Sequence, residues 1–402
     1  MKSQHSSQQA ITFVQNFLLH LPLLWMFSGL MMLQDGRSIM TRILVVAVIT
    51  AIYIGRKSIF SGTYKDKKNR YFIFFIGLNI IYLLLSKVIH HVDHGFIRTL
   101  FVSSLYFYFY PVNRYHINWL KASILIGTTL LACFAYWQAF LLGITRIGEP
   151  MNAIPFATCC MLLSISAALI ANNTQCRKEF IIFTLASLVA LFCTFLTGTR
   201  GVLIAIIPCL LIINLHKKIN LKVGGTLILL LIMVAIANQR VLTTMWQRTA
   251  NEIQNISNDN LNTSVGLRLQ FWKSAIYTIN DHPFLGVGTK AFRNEISKQY
   301  EQGLTSEEVV KFNPMHYHNQ FIDTTVKTGF IGLLLMLSIF LYCLYLALIS
   351  KVCETLPITM IIASLGIAAL TDVPFAHLPV VYLLFMLLFL GINNLFNTKT
   401  VV

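Results

Sequence analysis

FIGLLLMLSIFLYCLYLALI, residues 330–349, runs for twenty residues without one charged side chain. As an α-helix rising about 1.5 Å per residue, such a run crosses the ~30 Å hydrocarbon core of a bilayer with its backbone groups paired internally. Similar runs recur along all 402 residues. Reading outward from this one gives twelve expected spans at 11–33, 39–55, 71–86, 96–110, 117–142, 152–171, 180–196, 201–215, 223–237, 321–349, 356–370 and 378–396. Hydrophobic residues make up 56% of the chain and charged residues 11%, where a soluble domain carries about 25% charged residues. Soluble, disordered and fibrous classes are excluded. The expected fold is an all-α polytopic integral membrane protein: residues 1–238 hold spans one to nine, 239–320 form one large outer loop, and 321–402 hold spans ten to twelve. The run at 11–33 exceeds the ~7–15-residue core of a cleaved signal and reads as the first span. No internal repeat is apparent.

The net charge of +16, from 31 Lys and Arg against 15 Asp and Glu, would suggest nucleic acid in a soluble protein. Here no basic stripe with interleaved aromatics stands outside the spans, so no nucleic-acid partner is expected. Basic residues mark cytoplasmic loops instead. Loops after even-numbered spans hold fourteen (Arg56 to Lys351), and short loops after odd-numbered spans hold six (Arg37, Arg42, Lys87, Arg98, Arg146, Arg200). Both termini are therefore expected in the cytoplasm and the long loop on the outer face. All eight cysteines lie in apolar segments or at their ends without a CxxC pair, which indicates packing rather than a zinc or disulfide framework.

The long loop balances eight basic residues with seven acids, so it is no polybasic lipid-binding tail. Val265, Leu269, Trp272, Ile276 and Ile279 recur at helical spacing, predicting one amphipathic helix on the membrane surface with Arg268 bordering its apolar face. His282-Pro283 should end it, and Gly286-Val287-Gly288 should turn the chain.

Polar groups kept at outer span ends are the functional candidates. Arg200, in Thr197-Gly198-Thr199-Arg200-Gly201, directly precedes a span whose helix N-terminus would favour phosphate; the plainer reading is an interfacial anchor. Arg268 sits where it would meet a lipid-linked phosphate at headgroup depth, and Arg146 lies on the same face. Two converging guanidinium forks suit a diphosphate. His316-Tyr317-His318-Asn319 offers imidazole as a proton acceptor; a metal pair or a structural role are the alternatives. The group His90, His91, Asp93, His94 reads as a solvated loop. Asp372 would orient a His or a sugar hydroxyl, or simply end a helix. Asp323 and Lys327, four residues apart in a span, can pair with each other.

These pieces resemble the bacterial O-antigen ligase/polymerase superfamily. The resemblance rests on Thr-Gly-Thr-Arg-Gly before a span and on Gly266-Leu267-Arg268 ahead of a stretch ending His282-Pro-Phe-Leu-Gly-Val-Gly288. Its most specific element is His318-Asn319, nine residues, then Gly329-x-x-Gly332. Length and the lack of an added C-terminal domain look most like the lipopolysaccharide ligases among them. The resemblance implies a GT-C membrane glycosyltransferase in the bacterial inner membrane, active at the periplasmic face without metal or other cofactor. Its implied partners are an undecaprenyl-diphosphate-linked glycan donor, a lipid A-core acceptor and membrane lipids. Arg200 and Arg268 would hold the donor diphosphate and His318 would be the catalytic base, with Arg146, His316, Asn319 and Asp372 binding substrate. An O-antigen polymerase and a protein O-oligosaccharyltransferase share this donor chemistry. A transporter is the competitor of another class, although the charges cluster at span ends and no repeat symmetry is seen.

Overall fold

In the computed structural model of the chain, the described residues are 2–55, 66–90, 94–216, 236, 239–258, 260–350 and 352–397. Their regular structure is helical throughout, with no strand. The helices used below are α1 (Lys2–Met26), α2 (Gly29–Met32), α3 (Gly36–Gly55), α4 (Lys67–His90), α5 (His94–Phe109), α6 (Ile117–Tyr136), α7 (Ala153–Asn173), α8 (Arg177–Leu196) and α9 (Arg200–His216). After these come α10 (Gln239–Ser257), α11 (Ser264–Asp281), α12 (Gly288–Glu301), α13 (Glu307–Phe312), α14 (Gln320–Ile349), α15 (Val352–Ala369) and α16 (Leu378–Ile392). Each expected span overlaps a helix except the ninth, 223–237, nearly all of which lies outside the described residues. Six described helices are long and apolar enough to cross a membrane.

Burial sorts the helices into a centre and a shell. Every residue of α16 but Pro379 is buried, and α7 is buried over most of its length. The surrounding helices bury one stripe and leave bare apolar side chains on the other, among them Leu348 at 85% exposure and Val88 at 80%. Water would penalise such a surface heavily, whereas lipid accepts it. The chain is a multi-pass membrane protein.

Sequence periodicity predicts one helix in the long loop; the structure contains four, α10 to α13. Of these, α11 to α13 build a cap with its own small core of Phe271, Ala275, Val287, Phe292, Ile296, Val309, Tyr317 and Val326, separate from the bundle core. In α11 the face against the protein is Phe271, Ala275 and Thr278, while Val265, Leu269 and Ile276 of the expected stripe point outward. The helix is apolar on more than one side, and the aromatic face won the packing.

Cap and bundle meet at a break in α14. Gly329 has φ 67° and ψ −177°, a conformation essentially reserved for glycine. The break frees backbone groups that the turn after α11 takes up. Phe330 N–H donates to Pro283 O (2.8 Å), Ile331 N–H to Phe284 O (3.4 Å), and Val287 N–H to Val326 O (2.9 Å). A Cβ on Gly286 or Gly329 would strike the opposing backbone, so both glycines of this crossing are fixed by contact. The half-helix 320–328 thus packs with the cap, and Val326 reaches its core. Asp323 and Lys327 do pair, at 2.8 Å. They sit in this cap-side half-helix rather than in mid-span.

Gly329→Ala should destabilise the protein by about 1–3 kcal/mol or more, because strain and contact add. Gly366→Ala, where a Cβ meets nothing within 4 Å, should be neutral. Thermal unfolding of both variants in detergent measures the difference.

Candidate active site

The site forms where the cap meets the loops at one end of the bundle. Thr197-Gly198-Thr199 makes a tight turn between α8 and α9. The Thr197 hydroxyl donates to Thr194 O (2.7 Å), its oxygen accepts from Thr199 N–H (3.3 Å), and Gly198 takes φ 62°. Arg200 therefore begins α9 at a fixed place. Gly201 lies so close to Thr371 that a Cβ there would collide with the threonine side chain. That contact clamps the start of α9 against the segment carrying Asp372. The loop before α7 is held by buried Gln138, which donates to Glu149 O (2.6 Å) and accepts from Gly148 N–H (2.8 Å). From this loop Arg146 donates through Nε to Thr197 O (3.0 Å), bracing the turn before Arg200.

Arg200 presents its fork to α10. Its two terminal nitrogens donate to both oxygens of Glu252 (3.2 and 3.1 Å), and one also donates to Thr249 (2.6 Å). This bidentate geometry is the one a phosphate would take. Arg268 on α11 is half-buried, within electrostatic reach of Asp372, Arg200 and Glu252. Burial pulls its pKa down, and only Asp372 and Glu252 oppose that. Arg146 is likewise lowered, by burial and by Arg248 and Arg200. Four arginines thus crowd one region against two carboxylates, Glu252 in the Arg200 fork and Asp372 near Arg268, an excess of positive charge that attracts a multivalent anion.

The histidines come from the strand of chain entering α14. Tyr317 is buried in the cap core, its N–H donating to Asp323 (3.1 Å) and its carbonyl accepting from the Trp272 indole (2.9 Å). With Tyr317 pinned, its neighbours His316 and His318 stand side by side, ring centroids 4.4 Å apart. His318 has φ 51°, a left-handed conformation that costs a non-glycine residue energy and is concentrated at functional sites. Asn319 is committed to architecture. Its oxygen caps α14 by accepting from Phe321 and Ile322 N–H (3.0 and 3.1 Å), and its amide donates to Leu370 O (3.2 Å).

Asp372, 7% exposed, is the electrostatic centre. His318 Nδ1 lies 3.8 Å from one carboxylate oxygen and His377 Nε2 lies 3.9 Å from the other. Burial alone would raise its pKa. The imidazoles of His318, His377 and His316, with the Val373 N–H, outweigh burial and hold it below the ordinary carboxylate range. Burial, with His318 beside it, lowers His316 to about 4, and burial also lowers His377. The ligand atoms of His316, Asp372 and His377 lie within 4.8 Å of one another, so these two imidazoles and one carboxylate would also suit a divalent cation.

The sequence-predicted residues Arg200, Arg268, His316, His318 and Asp372 therefore converge, with Arg146 behind the Arg200 turn. Glu252, Thr249 and His377 belong to the same site and were not anticipated. Glu252 sits on an amphipathic helix where an acid looks merely solvated, and His377 in Ala376-His377-Leu378-Pro379 has no diagnostic spacing.

Fold and site together define a polytopic membrane protein with an arginine cradle facing a buried His–Asp cluster. The family model described as O-antigen ligase matches residues 185–337, a stretch including Arg200, Arg268, His316, His318, Gly329 and Gly332. The chain is 24% identical over 354 residues to an O-antigen ligase of Escherichia coli K12, covering 84% of this chain and 76% of that one. It is also 24% identical over 351 residues to an uncharacterized protein of Haemophilus influenzae, covering 83% and 84%. The resemblance to the O-antigen ligases read from the motifs is thereby borne out.

His316 predicts a pH dependence of stability. With a folded pKa of about 4 against about 6.5 when unfolded, the unfolded chain binds more protons between these values. The contribution is complete above pH 6.5 and is lost as pH falls through 4. The melting temperature of His316→Asn should fall less steeply between pH 6.5 and 4 than that of wild type.

Proposed function

We propose that this protein is a glycosyltransferase that moves O-antigen polysaccharide from undecaprenyl diphosphate to the lipid A-core of lipopolysaccharide at the periplasmic face of the bacterial inner membrane. The observation that carries the reading is the meeting of Arg200 and Arg268, 68 residues apart in sequence, beside the carboxylate that backs His318. A cradle of fixed cations next to a base is what displacement of a lipid diphosphate requires.

The acceptor hydroxyl oxygen attacks the anomeric carbon of the first donor sugar. The bond from that carbon to the phosphate oxygen breaks, and its electron pair leaves with undecaprenyl diphosphate. His318 takes the hydroxyl proton. Its Nδ1 faces Asp372, which leaves Nε2 for the substrate, and the carboxylate stabilises the imidazolium that forms. Direct displacement inverts the anomeric configuration. His316, with its pKa near 4, stays neutral at working pH. Arg200 and Arg268 gain most as negative charge collects on the departing diphosphate, so their contribution falls on the transition state. Arg146 acts through the Thr197 turn as a positioning residue. The reaction needs no metal in this scheme, and a chelator tests that.

Glu252 holds the Arg200 fork that the donor phosphate would occupy. The incoming diphosphate must displace that carboxylate or share the guanidinium with it.

Purified protein given undecaprenyl-diphosphate glycan and rough lipopolysaccharide should transfer the glycan without an ion gradient or nucleotide. Arg200→Ala and Arg268→Ala should each lower kcat/KM by about 10²–10³-fold, and His318→Ala by about 10²–10⁴-fold. Full activity in both arginine variants overturns the cradle. Loss of wild-type activity with a chelator, restored by a divalent ion, moves the His316–Asp372–His377 group from base support to metal binding. A deletion strain should show core without any O-antigen; core with one repeat unit would mark a polymerase.

A further inference from the structure

A cavity of about 570 Å³ is lined in part by Val373, Phe375 and Ala376, of the segment that follows Asp372, and by none of the cradle arginines. Its floor is apolar and deep in the bundle, formed by Leu83 of α4, Leu100 of α5, Ile339 and Phe340 of α14, and Phe385 of α16. Its mouth is polar and lies under the cap, where Lys290 and Arg293 of α12 and Lys327 of α14 meet one carboxylate, Asp323. Three cations against one anion leave the mouth positive. Asp323 and Lys327 pair with each other at 2.8 Å, and the Lys327 ammonium stands 4.8 Å from the centre of the Phe292 ring. Arg293 donates to Pro314 O (3.1 Å) and meets the Met315 sulfur, holding the chain just before His316. Lys290 is exposed one turn earlier on the same helix. The volume lies in the range of pockets that enclose a discrete ligand.

Cavity and site share one short segment. Asp372 faces His318 and Arg268, while Val373, Phe375 and Ala376 of the same short segment line the cavity. Gln320, next to the Asn319 cap, also lines it and ties the two sides by accepting from Phe375 N–H (2.8 Å). An in-line displacement needs its nucleophile on the far side of the anomeric carbon from the leaving group. With the diphosphate held at Arg200 and Arg268, neither of which lines the cavity, the cavity is left for the second substrate.

From this placement we infer that the cavity binds the acceptor's lipid anchor: a phosphorylated amphiphile whose alkyl chain fills the apolar floor and whose phosphate lies against Lys290, Arg293 and Lys327. The assignment of this amphiphile as acceptor rests on the transfer reading above. The site itself does not, because charge complementarity at the mouth and an apolar floor among the apolar helices of the bundle select an anionic lipid whatever reaction follows.

The test uses the full chain in phosphatidylcholine nanodiscs, with phosphatidic acid carrying a photoactivatable group in one acyl chain as the probe. Labelling should map to residues 83–100 or 336–340. Lys290→Glu, at an exposed position, and Met336→Trp, which fills the cavity from a different element, should each cut labelling at least fivefold. Arg200→Ala should leave labelling unchanged. The matching diacylglycerol probe should label at least fivefold less, and millimolar inorganic phosphate should not compete. In transfer assays Lys290→Glu should raise the acceptor KM about tenfold and leave the donor KM unaltered. Labelling insensitive to both variants, equal labelling by diacylglycerol, or full competition by inorganic phosphate overturns the lipid site. A rise in donor KM instead of acceptor KM overturns the acceptor assignment. If wild type transfers no glycan yet labels as expected, the transferase reading fails while the lipid site stands.

Discussion

The structure depends on how α14 breaks. A helix interrupted beside an apolar slab exposes backbone donors and acceptors that lipid cannot satisfy. Here the turn 283–287 satisfies them, and it can approach closely enough only because glycines face each other at 286 and 329. The break redirects the half-helix 320–328 into the cap. It therefore fixes the chain entering that half-helix, where His316, Tyr317, His318 and Asn319 stand. The same crossing locks the end of α11, the helix that carries Arg268. One backbone junction thus sets both the imidazole and an arginine of the site.

The electrostatics follow from that geometry. A buried carboxylate would normally favour its neutral form, yet Asp372 is kept ionised by three imidazoles, two of which are themselves discouraged from protonation by burial. The cluster therefore holds a negative charge close to His318 without a permanent cation directly against it. On the other side, Arg200 is neutralised by Glu252 while Arg268 is left with more distant partners. The two halves differ in kind: one is suited to receiving a proton, the other to receiving negative charge.

Much of this was legible in the sequence, and the limits have physical causes. Uninterrupted apolar runs located the helices because a bilayer imposes length and composition on any segment that crosses it. Arg200 and Arg268 were legible because a guanidinium at the end of an apolar run is an expensive choice. The cap was not, since its helices lie in a charge-balanced polar loop, where an amphipathic stripe looks like solvated surface and does not name the partner it packs against. Glu252 and His377 were hidden for the same reason: their partners lie more than fifty residues away on one side and across a short irregular turn on the other. The resemblance implies a substrate contact for Asn319; its side chain caps α14 and donates to Leu370 O, neither of which the sequence around it signals. Asp323 and Lys327 paired as expected, but a break that only Gly329 signals moved them out of the span and into the cap.

The contact between Gly201 and Thr371 has a consequence for substrate range. Two segments 170 residues apart touch there, the Gly201 main chain against the Thr371 side chain with no room for an added carbon, so the start of the helix that carries Arg200 is seated directly on the segment that carries Asp372. Under the proposed transfer reaction, a bulkier first sugar would have to be accommodated by the lining residues rather than by moving Arg200 away from Asp372.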